Sequence, residues 1–203
     1  MATNHEKMRD EMSLRFLESD QEEIIRAFSL GCDSGYIFLS FLGDDMRIVR
    51  SSGTVEVSEN GRWIPAGFDD SMCVYDLLSF SREPVAVSGE YVNLRSLSAL
   101  SGAAFSPAGN SFFSKQEERL TGKAVKLGEI FASRGWQACE GADAACVIPV
   151  FGDLKLMLRF WDADEDFPAS LQFMWDRSVL KMMHYETVWF ASSAVVRRIM
   201  SDI

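Results

Sequence analysis

Two apolar runs decide how this chain folds. They are Ala144-Ala145-Cys146-Val147-Ile148-Pro149-Val150-Phe151 and Leu154-Lys155-Leu156-Met157-Leu158-Arg159-Phe160-Trp161, joined by Gly152-Asp153. A Gly-Asp pair between β-rich runs is a tight-turn signal, so the runs are expected to pair as an antiparallel hairpin. Side chains alternate across a strand, which sends Leu154, Leu156, Leu158 and Phe160 to one face and Lys155, Met157, Arg159 and Trp161 to the other. Only the leucine face is plainly core. The second run continues into Asp162-Ala163-Asp164-Glu165-Asp166-Phe167-Pro168, an acidic turn stopped by proline, after which Leu171, Phe173 and Trp175 alternate as another strand and Asp176-Arg177-Ser178 breaks it. Thr187 to Met200 then reads as a closing helix, with Trp189, Phe190, Ala194 and Val195 inward and Arg197 and Arg198 near its C-terminus, where cations suit the helix dipole.

Upstream, the period of the pattern changes twice. Thr3 and Glu6 form a capping box, and Met8, Met12, Phe16 and Leu17 follow at helical spacing; the expectation is a core-facing stripe, because methionine fills irregular interior gaps. Ser19 and Glu22 repeat the box before a second helix, or a kinked continuation of the first, that carries Ile24, Ile25 and Phe28 and ends near Gly31. Tyr36–Leu42, Met46–Arg50 and Thr54–Val57 read as an antiparallel meander, with turns at Gly43-Asp44-Asp45 and at Asn60-Gly61. A helix from Ser71 to Ser81, capped by Asp69 or Asp70 and stopped by Pro84, presents Cys73, Val74, Leu77 and Leu78 as an apolar stripe. Ser88 to Phe113 is expected to be a long irregular connection pinned by Tyr91, Phe105, Phe112 and Phe113. Ser114 and Glu117 then open one helix running to Arg134-Gly135, in which Gly122 and Gly128 suggest close packing against another element.

The 203 residues fit one domain, 1–203, in which a helical segment over 1–30 precedes a core over 31–203. At 47% apolar and 25% charged residues, the composition supplies ample material for a packed interior. The architecture expected is α+β: an antiparallel sheet of five or six strands with helices packed on it. A formal charge of −10 opposes attraction to nucleic acid and to anionic membranes. No run approaches the roughly 20 apolar residues of a membrane helix, and the charged N-terminus lacks the apolar core of a signal peptide, so a cytoplasmic location is expected. Cys32, Cys73, Cys139 and Cys146 are scattered without a Cys-x-x-Cys pair, the pattern of reduced thiols acting as small apolar residues.

Candidate chemistry gathers at the acidic turn. Asp162, Asp164 and Asp166 at alternate positions suggest a calcium loop, but Phe167 stands where such a loop needs glycine and Phe173 where it needs a bidentate glutamate. Arg95 and Arg159 have the fork geometry that matches carboxylates and anionic ligands. Asp176 suits a local turn cap. His184 beside Glu186 is an acid–base pair in principle, with no nucleophile motif near it. The ligand-binding candidates are therefore Arg95, Arg159, Asp164, Glu165, Asp166, Asp176 and Glu186.

The order of Gly89-Glu90-Tyr91-Val92, Arg95, a capped helix, Trp161 to Pro168, Phe173-Met174-Trp175-Asp176-Arg177-Ser178 and a glutamate opening the last helix resembles the domain of unknown function 3786 family. The resemblance covers roughly Ile24 to Met200. It implies relatives largely in anaerobic bacteria and archaea, some with the domain behind an iron–sulfur module, and no assigned activity or cofactor. This chain has no cysteine-dense N-terminal segment, so an iron–sulfur or corrinoid connection would come from a separate partner. Relatives tend to place Pro-Thr before the glutamate where this chain has His184-Tyr185. The function expected is that of a non-catalytic small-molecule-binding or accessory protein, engaging a small molecule or a redox-protein partner through the acidic turn and the Ser88 to Phe113 loop. The alternative is an enzyme using Arg95, Asp164, Glu165 and Glu186 around one cleft, with or without a divalent cation.

Overall fold

A computed structural model describes residues 3–81, 83–101 and 111–203. Among them the α+β pattern holds, with seven α-helices and ten strands. The strands form two antiparallel sheets of five, where one sheet of five or six was expected. The reason lies in how the first ladder ends. Its last strand closes on Pro65, which has no N–H to donate, and the chain turns from there into a helix. The chain divides into two compact units, Met1–Ala86 with Leu180–Ala194, and Val87–Val179 with Val195–Ile203.

The first unit opens with α1 (Asn4–Glu18) and α2 (Gln21–Phe28). Thr3 and Glu6 cap α1 as the sequence predicts, both reciprocal bonds being made. The cap of α2 is Asp20 rather than Ser19, its carboxylate accepting from the Glu23 N–H. A meander follows: β1 (Gly31–Cys32), β2 (Tyr36–Phe41), β3 (Asp44–Val49), β4 (Val55–Glu59) and β5 (Arg62–Pro65), paired in that order. Asn60-Gly61 makes the expected turn, both residues at positive φ. The β2–β3 turn is Leu42-Gly43, not Gly43-Asp44-Asp45. Leu42 takes φ 55° and is 1% exposed, so burial of its side chain offsets an unfavourable backbone. Helix α3 (Phe68–Ser79) buries Cys73, Val74, Leu77 and Leu78 as read. Gly67 occupies the cap position and no side chain bonds there, so neither Asp69 nor Asp70 caps this helix.

The second unit begins with β6 (Tyr91–Asn93) and α4 (Leu94–Ser101), regular structure in a stretch expected to be irregular. The local signal is Asn93, whose side chain accepts from the Arg95 N–H and turns the chain into α4. Phe105, expected to pin this connection, lies outside the described residues. The helix expected from Ser114 to Arg134 is two, α5 (Ser114–Leu120) and α6 (Ala124–Ser133), broken where Gly122 takes φ 75°. Nothing lies within 4 Å of a side chain built at Gly122 or Gly128, so backbone conformation at Gly122 replaces the close packing inferred for both. Glu117 makes no capping box; its carboxylate accepts from the Ser111 hydroxyl and the Leu171 N–H, each at 2.9 Å.

The sheet of this unit consists of β7 (Gln137–Ala138), β8 (Ala144–Phe151), β9 (Leu154–Trp161) and β10 (Ser170–Asp176), with order β6-β10-β9-β8-β7. The β8–β9 hairpin is the one the opening stretch predicts, and Leu154, Leu156, Leu158 and Phe160 are all at most 1% exposed. Arg177–Lys181 forms a 3₁₀ turn, and α7 (Tyr185–Ser201) closes the chain.

Candidate functional site

Three helical faces of the first unit leave a cavity of about 510 Å³ between them. Residues three and four apart on a helix share a face. From α1 come Met8, Met12, Arg15 and Phe16; from α3 come Met72, Tyr75, Asp76 and Ser79; from the start of α7 come Glu186, Thr187 and Phe190, with Ser19, Ile24 and His184 completing the wall. The α3 residues recur at intervals of three, one and three, on the side opposite the buried Cys73, Val74, Leu77 and Leu78. The methionine stripe of α1, expected to fill the core, faces this cavity instead. Phe16 is the one residue of α1 buried below a tenth, and Met8 is 47% exposed.

Where α1 crosses the meander its backbone comes very close. A Cβ at Gly53, whose φ is 72°, would stand 2.4 Å from the Ser13 carbonyl oxygen. The Tyr75 hydroxyl donates to the Gly53 carbonyl at 2.8 Å, so α3, α1 and the β3–β4 turn meet at one point. Burial pushes the Tyr75 hydroxyl up to about 12, which keeps it a neutral donor. His5 stacks on Phe68 at 4.3 Å near the other end of α1.

The polar centre of the cavity is a carboxylate–imidazole pair. Asp76 Oδ1 lies 2.7 Å from His184 Nδ1, and Asp76 Oδ2 accepts from the His184 backbone N–H at 2.7 Å. The Asp76 side chain is 11% exposed and that of His184 65%. The Phe80 ring meets the imidazole edge-on at 4.3 Å, bracing its outer face. An ionised carboxylate only accepts hydrogen bonds, so Nδ1 is the donor, and Nε2 is the ring nitrogen left to face a ligand. An imidazole held in this way is oriented to accept a proton or to hold a polar ligand atom.

Glu186 is the only sequence candidate that lines this cavity. The other six belong to the second unit. Arg95 opens α4. Arg159 stands on β9 opposite Gln172 and Ala145, its Nε buried without a hydrogen-bond partner among the described residues. Asp164 is occupied locally, accepting from the Asp166 and Phe167 N–H groups at 2.9 and 2.8 Å, and Glu165 and Asp166 are exposed. Among the described residues no group of three or more His, Cys, Asp or Glu is placed to hold a metal ion. No helix there is long and apolar enough to cross a membrane.

Asp176 caps a turn as expected, and more. It is 2% exposed and accepts from the Ser88 N–H and hydroxyl, the Gly89 N–H, and the Ser178 N–H and hydroxyl. Burial alone would raise its carboxyl, but these bonds from Ser178 and Ser88 outweigh it and hold the group at about 2.

Sequence reasoning missed Asp76. Its partner lies 108 residues away, and at a polar position of an amphipathic helix an aspartate reads as solvated. His184 and Glu186 were in view, and Asp76 with the pocket-facing methionines supplies what the sequence reading lacked.

A family model described as Domain of unknown function (DUF3786) matches residues 20–198, and the chain belongs to that family. No curated protein and no solved structure matches the chain. Helix α1 precedes the matched residues, so part of the cavity wall is built outside them.

Proposed function

With membership of that family as the premise, we propose that the chain is a small-molecule-binding protein whose ligand occupies the cavity between α1, α3 and the start of α7. The observation that carries this is the Asp76–His184 pair set into a largely apolar cavity of about 510 Å³, a size typical of ligand sites. Met8, Met12 and Met72 supply a soft, adaptable wall, suited to a ligand body of irregular shape. His184 Nε2 supplies an oriented polar atom that fixes the ligand's direction. Displacement of a neutral fluorescent apolar dye by candidate ligands tests this. One saturable site is expected, weakened by Met12→Asp and by Met72→Asp. Dye binding unchanged by either substitution would place the ligand elsewhere.

The same pair favours a second reading, an enzyme in which Nε2 serves as general base toward the bound molecule. His184→Ala would then retain dye binding and abolish conversion of whatever molecule co-purifies in the cavity, read by mass spectrometry before and after incubation. Retained conversion would remove this reading. An accessory role beside an iron–sulfur or corrinoid protein belongs to the same proposal, and co-purification under anaerobic conditions tests it.

A further inference from the structure

The charges around the cavity do not balance, and the imbalance has a sign. Four lining residues bear or can bear charge: Arg15, Asp76, His184 and Glu186. Arg15 is already committed, its guanidinium bonded to Glu11 at 2.6 Å. Asp76 and His184 are committed to each other. Glu186 is left, and among the described residues its carboxylate has neither an ion-pair nor a hydrogen-bond partner. It stands in the first turn of α7, one turn before Phe190 and beside an apolar wall that includes the rings of Phe16 and Tyr75.

Resting on the binding reading above, we propose that the ligand is an organic cation: an apolar body carrying an ammonium or similar positively charged nitrogen, with Glu186 as its counter-ion. The lining suits such a molecule in both its parts. Its alkyl or ring portion buries against methionine and aromatic side chains, whose ring faces also attract positive charge. Its charged nitrogen meets a carboxylate that has no ion-pair or hydrogen-bond partner among the described residues. An anionic head group of equal size meets Glu186 and Asp76 as like charges and is disfavoured. Glu186 therefore acts in specificity, selecting the sign of the ligand's charge, while His184 orients it.

The test uses three probes with one tail: hexylamine, hexanol and hexanoate, titrated calorimetrically into the full-length protein at pH 7 and low salt. The expected order of affinity is amine above alcohol above carboxylate. In Glu186→Gln the amine should weaken by about fivefold, the scale of a solvent-exposed ion pair, with hexanol unchanged. Glu186→Asp should restore part of the preference, which loss of fold would not allow. Equal affinities for amine and carboxylate in the wild type, or a preference for carboxylate, would overturn the inference and leave the cavity as the binding site. Failure of hexanol itself to bind would overturn the cavity reading, and the charge preference with it.

Discussion

Asp176 shows how much one buried carboxylate can organise. It draws Ser88, Gly89 and Ser178 onto two oxygens. Asp176→Ala would orphan these donors and is expected to cost on the order of 2–3 kcal/mol, read by urea unfolding at pH 7. Because its pKa is lowered from 3.8 to about 2, the unfolded chain takes up this proton before the folded one does. The contribution, about 2 kcal/mol, is therefore fully present above pH 4 and is lost as pH falls toward 2. A wild-type protein whose stability over that window tracks the Asp176→Ala variant in parallel would contradict the assignment. Cysteine reactivity separates by burial at the same scale: Cys32 is exposed, Cys73 and Cys146 are buried, and burial pushes the Cys146 thiol upward. A maleimide reagent is expected to label Cys32 in the native protein and to reach Cys73 and Cys146 only after unfolding. The turn role of Asp176 was legible, since aspartate at a strand end commonly bonds the backbone just after it. Its grip on Ser88 was not, because no local rule reaches that far.

At the scale of elements, what could be read was what repeats locally. The leucine face of β9, the Thr3 capping box and the Asn60-Gly61 turn each follow from spacing within a few residues. The break between α5 and α6 escaped because Ser114 and Glu117 fit a capping pattern while Glu117 is instead drawn to the Leu171 N–H. Gly122 carries the break through backbone conformation alone, so Gly122→Ala is expected to cost about 1 kcal/mol, with no packing penalty added. Gly53 is the opposite case, with both a positive φ and the Ser13 carbonyl against it. Gly53→Ala should cost at least about 2 kcal/mol and loosen α1, seen as faster hydrogen exchange in Asn4–Glu18 than in α3. Uniform exchange in both helices would mean that Gly53 does not seat α1.

At the scale of the whole chain, the α+β class was legible and the division of its strands was not. The alternating strands of the two hairpin regions are compatible with one sheet or two, and only the proline at the end of β5 hints at where the first one stops. The cavity was hidden for a related reason. One face of α3, Cys73, Val74, Leu77 and Leu78, announces itself as core, while the pocket-lining face, Met72, Tyr75, Asp76 and Ser79, looks like an ordinary mixed surface until α1 and α7 are set against it. The central claim is that this space receives a ligand. Its most direct test is calorimetric titration of hexanol into the wild-type protein and into Ser79→Trp, a substitution at an exposed position of α3 that fills the cavity. Saturable binding with one site in the wild type, lost in a Ser79→Trp protein that melts within a few degrees of it, is the result this account predicts. Equal binding to both proteins, or none to either, would contradict it.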